Sequence, residues 1–119
     1  MKQKAFTLIE IMIVISIIGL LMCIAIPNFA RSQRTAKMQT CISNLYHIEM
    51  ATQQWAMETR QGDTSAVAPA DVLPYLQGTV VCPSGGKTFV DSYFLTTVNV
   101  KPTCLKVPGT HKLSDDTTQ

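Results

Sequence analysis

The chain has 119 residues, room for one small domain, with 46% hydrophobic and 15% charged residues. Its formal charge of +2 belongs to Lys2 and Lys4, because from Phe6 onward eight basic residues face eight acidic ones. No Lys/Arg stripe survives there, which argues against nucleic-acid binding by phosphate neutralisation. No glycine-rich phosphate loop or catalytic cluster is present, and Ser84 sits in a turn without the Gly-x-Ser-x-Gly context of a nucleophile, so the chain does not read as an enzyme and implies no cofactor.

The 21 residues from Phe6 to Ile26 carry one charge, Glu10. Such a run is long enough to cross a hydrocarbon layer of about 30 Å as a helix. It is too long for the core of a secretory signal, and Ile26-Pro27-Asn28 is a poor small-x-small cleavage site, so a retained anchor is expected. Charge counting leaves its orientation open, since Lys2 and Lys4 lie on one side and Arg31, Arg34 and Lys37 on the other. A carboxylate inside an apolar helix costs a few kcal/mol on insertion scales, on the order of 3. Glu10 either stays hydrated at the boundary or meets a positive partner. A cut between Ala5 and Phe6 would create one, the new α-amine of Phe6, supplied by an adjacent subunit, while pairing a turn away within the same helix would also soften the cost.

The helical pattern continues past the apolar run. Met38, Cys41, Leu45, Ile48, Thr52 and Trp55 recur at spacings of three and four, with Ile42 beside them, and polar residues fill the gaps. Gly62-Asp63 and then Pro69 stop the pattern. A helix from Phe6 to Arg60 would be about 80 Å long. Gly19 and Pro27 are its weak points, and a bend or local unwinding is expected between them.

From Thr64 the composition changes. Ser65 to Pro69 reads as a linker, and Ala70–Leu76 as a short helical turn with Pro69 and Asp71 at its start. Cys82-Pro83-Ser84-Gly85-Gly86 is a turn. Lys87–Val90 and Tyr93–Val100 are rich in β-branched and aromatic residues and predict two or three short antiparallel strands, closed by Pro102. Ser114–Gln119, with Asp115 and Asp116, reads as a solvated polar tail. The expected organisation is a leader at 1–5, a membrane helix at 6–27, an amphipathic helix at 28–62 and a small β-rich head at 63–119. The fold class is α+β, a long helix packed by its second half on a small antiparallel sheet.

Cys23 falls in the apolar run and Cys41 on the helical stripe, which suits an interface residue and a core contact respectively. Cys82 and Cys104 lie in loop-rich sequence and are expected to pair in an oxidising compartment. That bridge would close a loop of about 20 residues and contribute about 3 kcal/mol. Free thiols are the second reading. A metal held by Cys82, Cys104 and His111 is the third, because a structural zinc site needs a fourth ligand and no C-x-x-C pair supplies it. His47 is expected at the surface or between subunits.

Lys4-Ala5 followed by Phe6-Thr7-Leu8-Ile9-Glu10, with the apolar run to Ala25-Ile26-Pro27, resembles the N-terminal signature of type IV prepilins and type II secretion pseudopilins. The resemblance implies that a prepilin peptidase cuts between Ala5 and Phe6 on the cytoplasmic side and methylates the new Phe6 amine. It also implies that the helix anchors the subunit in lipid and later packs in a filament core. Glu10 matches the family's glutamate for recruitment and register, and Pro27 its helix-bending proline. Ala5 departs from the glycine usual before the cut but is small enough for the same pocket. Cys82-Pro-Ser-Gly-Gly, Pro102-Thr-Cys104 and Gly109-Thr-His111-Lys-Leu113 are similar to a pseudopilin subgroup with a short hairpin head. The aspartate-rich loop of calcium-binding relatives is missing, so no calcium site is implied.

The implied function is a structural subunit of a type II secretion pseudopilus, with a type IV pilus for adhesion, motility or DNA uptake as the alternative. Its partners would be other pilin-like subunits, the peptidase, an inner-membrane assembly platform and motor, and membrane lipid, with no nucleic acid. The implied location is the inner membrane, single-pass, with the head exported to the periplasm or cell surface. A monomeric signal-anchored module binding a metal or ligand is the rival from another class.

Overall fold

Thr7 begins the first ordered element. Its hydroxyl accepts from the Glu10 amide at 3.4 Å and its carbonyl accepts from the same amide at 3.2 Å. Thr7 thereby caps helix α1, which runs from Leu8 to Thr59. The computed structural model describes residues 3–114; Lys2 of the expected leader and Asp115 and Asp116 of the expected tail lie outside them. The chain divides into two units, Met1–Arg34 and Thr35–Gln119.

In the first unit every large apolar side chain from Phe6 to Phe29 is exposed. The helix is continuous through Gly19 and Pro27, without the local unwinding named as one possibility for that stretch. This helix is also long and apolar enough, by length and composition, to cross a membrane. None of these large apolar residues is buried, so the helix's stability depends on whatever surrounds it.

The second unit contains the rest of α1, and here the predicted stripe is the buried face. Cys41, Leu45, Ile48 and Thr52 are buried, and Met38, Ile42 and Trp55 are half-buried. Ala51 and Ala56 widen the face. The helix ends on Arg60, whose φ of 54° is left-handed, and the Gln61 amide donates back to the Ala56 carbonyl at 2.9 Å. This is the bonding of a Schellman cap with arginine where glycine is usual.

Helix α2, Pro69–Val72, follows, with proline in its first turn and the Asp71 carboxylate accepting from the Ala68 amide at 3.0 Å. A 3-10 turn, Leu73–Tyr75, completes the helical turn expected at 70–76. Helix α3, Phe89–Ser92, replaces the strand expected at 87–90. The local signal that wins is an N-cap at Thr88: the Asp91 amide donates to the Thr88 hydroxyl, and the Asp91 carboxylate reaches back past the cap to accept from the Lys87 amide. Among the described residues only two short strands form, β1 at Tyr93–Phe94 and β2 at Thr103–Cys104. They pair antiparallel, Tyr93 opposite Cys104 and Phe94 opposite Thr103. Pro102 therefore precedes the last strand rather than closing it, and Val98 and Thr97 belong to a turn tied to the linker by the Ala66–Thr97 bridge. The α+β pilin-like fold holds, with a smaller sheet than the β-branched content predicted.

The core joins α1 to everything after it, through Leu45, Ile48, Val67, Val72, Phe89, Tyr93, Val98 and three cysteines. The Cys82–Gly86 turn packs against it closely. Gly85 has a φ of 111°, and the Gly86 amide donates to the Cys82 carbonyl at 2.8 Å. A Cβ on Gly86 would collide with Ser92 Oγ and lie 2.8 Å from the Cys82 nitrogen. Because backbone cannot yield as a flexible side chain does, Gly86→Ala is expected to destabilise the head by about 1–3 kcal/mol in urea unfolding. Gly109→Ala, where a Cβ meets nothing within 4 Å, is the matched control.

Candidate assembly segment and head cluster

The residues expected to direct processing and assembly lie together at the start of α1. Phe6 is 79% exposed just ahead of the helix, and Glu10 is exposed three residues after the Thr7 cap. Thr7-Leu8-Ile9-Glu10 has the spacing of a capping box, so within one chain Glu10 sits where the positive end of the helix dipole favours a carboxylate. Cys23 is exposed on the same apolar helix.

A second constellation lies in the head. Cys41 on α1, Cys82 at the glycine turn, Cys104 on β2 and His111 in the C-terminal loop converge, with all four donor atoms within 4.8 Å of one another. Cys82 Sγ is 3.6 Å from Cys104 Sγ and 3.8 Å from His111 Nδ1. The expected Cys82–Cys104 disulfide is not shown: both thiols are free. Cys41, absent from the sequence-level ligand set, is the addition. Nothing in its helical spacing could have assigned it to residues 41 to 70 positions away.

Polar groups adjoin the cluster within this apolar core. The Asn44 amide donates to the Tyr93 hydroxyl at 3.0 Å and to the Val81 carbonyl at 3.1 Å. That hydroxyl lies 3.7 Å from Cys41 Sγ. Burial, then the neighbouring Cys104, pushes the Cys41 thiol far up from its ordinary value. Burial also pushes the Tyr93 phenol up, against the Asn44 hydrogen bond. For Cys104, burial raises the thiol but is outweighed by hydrogen bonds, first from the Val107 backbone, and the net direction is down.

On the surface, Lys106 Nζ pairs with Asp91 Oδ1 at 2.7 Å, and the Tyr75 hydroxyl donates to Glu58 Oε2 at 2.6 Å. The Tyr75 bond lowers the Glu58 carboxyl, and the Lys106 bond lowers that of Asp91. Both groups thus bind protons less readily folded than unfolded. Their stabilisation is complete above the ordinary values of 4.5 and 3.8 and is lost as pH falls through the lower folded values. The urea midpoint of the head should fall on acidification through this window, and less steeply in a Glu58→Gln/Asp91→Asn variant. His47 lies at the surface, lining a groove of about 590 Å³ with Met50, Met57 and Tyr75.

A family model described as the prokaryotic N-terminal methylation motif matches residues 1–26. Competence protein ComGC of Bacillus subtilis (strain 168) is 30% identical over 92 residues, covering 76% of this chain and 91% of the relative. Type II secretion system core protein G of Escherichia coli (strain K12) is 37% identical over 81 residues, 63% of this chain and 55% of the relative. Type IV major pilin protein PilA of Myxococcus xanthus (strain DK1622) is 42% identical over 57 residues, 48% of this chain and 26% of the relative. The chain thus spans about half of that core protein G and a quarter of that pilin. No solved structure matches. With a methylation motif at its start, a capped apolar helix continuing into a small α+β head, and a relative matched over nearly its whole length, the chain belongs to the type IV pilin and pseudopilin family.

Proposed function

We propose that the chain, cut between Ala5 and Phe6 and methylated on the Phe6 amine, is a structural subunit of a type IV-like filament and has no catalytic role. The observation that carries this reading is the first unit: an apolar helix with every large side chain exposed from Phe6 to Phe29. Such a surface is stable in lipid before assembly and against like helices afterwards. In this reading the helix is held in the inner membrane with the head exported, Pro27 is where it bends on packing, and Glu10 pairs with the Phe6 amine of a neighbouring subunit. The prepilin peptidase, assembly platform and motor are its partners.

Among filament types, the small head and the repeated likeness to type II secretion core protein G favour a secretion pseudopilus. A competence-type filament is the second reading, favoured by the 91% coverage of the Bacillus subtilis protein. Mass spectrometry of the native N-terminus tests the common core. A chain starting at methylated Phe6 is expected; a native chain starting at Met1 would leave a plain signal anchor and sink the filament reading.

A further inference from the structure

We propose that Cys41, Cys82, Cys104 and His111 form a structural zinc site that fastens the head to α1. Four potential ligand atoms converge from four separate parts of the chain, and their residues are 0%, 0%, 1% and 5% exposed. A tetrahedral zinc with Zn–S near 2.3 Å and Zn–N near 2.0 Å has S···S edges of about 3.8 Å and S···N edges of about 3.6 Å. The observed 3.6 Å between Cys82 and Cys104 sulfurs and 3.8 Å from Cys82 Sγ to His111 Nδ1 fit those edges. A disulfide would bring two sulfurs to about 2.05 Å and leave the third thiol and the imidazole without a role.

Three sulfurs and one nitrogen, all from protein, are the donor set of a closed zinc site, which leaves no position for substrate. Binding releases the three thiol protons to solvent and leaves a net charge of −1 on the centre. Hydrogen-bond donors already stand around it. The Tyr93 hydroxyl, whose oxygen accepts from Asn44, has its own hydrogen available for Cys41 Sγ. Backbone groups of Val107 and Lys106 bond Cys104. Such outer contacts hold ligands in orientation and spread the charge. The site also answers a stability problem, since a head this small gains little from its apolar core alone.

The test is metal analysis of the full-length protein, purified in detergent without chelator. About one zinc per chain is expected, with loss in Cys41→Ser, Cys82→Ser, Cys104→Ser and His111→Gln and retention in Cys23→Ser. Because a ligand variant can lose metal by unfolding, His111→Cys serves as the second arm: it restores four donors and should bind. Cobalt substituted into the parent should give sulfur-to-metal charge-transfer absorption that strengthens in His111→Cys, as three thiolates become four. Parent protein without zinc and with Cys82 linked to Cys104 in a non-reducing peptide map would overturn the site. So would undiminished zinc in Cys41→Ser, or iron in place of zinc.

Discussion

Glu10→Ala is expected to leave membrane insertion intact and to reduce filament assembly at least tenfold. In the isolated chain Glu10 lies exposed beside the Thr7 cap, where water and the helix dipole offset much of its cost. In a filament core that water is gone, and the carboxylate needs a cation. On the reading above, the Phe6 amine of a neighbour supplies it. Removing one member leaves the other charge buried and unpaired, a loss of about 2–5 kcal/mol per contact. At about 1.4 kcal/mol per tenfold, even the lower value is a large defect. Glu10→Gln separates this role from capping, because glutamine at the third helical position still completes a capping box while carrying no charge. Both variants should reach the membrane and fail to assemble, as read by filament yield in sheared fractions against membrane-bound subunit. Parental yield from Glu10→Gln would show that the charge is not what matters.

Leu45→Ala is expected to lower the stability of the head by about 2–5 kcal/mol. Leu45 is fully buried at the centre of the face that α1 presents to the core, beside Cys41 and Ile48. A small domain holds on the order of 5–15 kcal/mol in total, so this one change removes a large share. Tyr46 is the adjacent control: it is 56% exposed, and Tyr46→Ala should cost little. Trp55, the single tryptophan, packs half-buried against the core and reports unfolding by its fluorescence in the full chain in detergent. Equal midpoints for the two variants would contradict the assignment of the buried face.

The two halves of the chain differ in how openly the sequence declares them. On α1 the spacing from Met38 to Trp55 identified the main line of the buried face, though not Ala51 and Ala56, since helical period and burial are local properties of one continuous element. The apolar run was legible for the same reason. In the head, Lys87–Val90 was misread because β-branched content outweighed the Thr88–Asp91 cap in the count. Capping is a specific pair of hydrogen bonds and, where present, overrides a weak composition preference.

Sequence alone therefore determined the long apolar helix, the family signature, the amphipathic stripe and the α+β class. Tertiary structure alone decided that strand Thr103–Cys104 pairs with Tyr93–Phe94, and that Cys41 joins Cys82, Cys104 and His111. Cys41 lies on a regular helix where its spacing says only that it is inward. What it faces depends on how segments far along the chain close around that helix, a long-range outcome that no local period encodes.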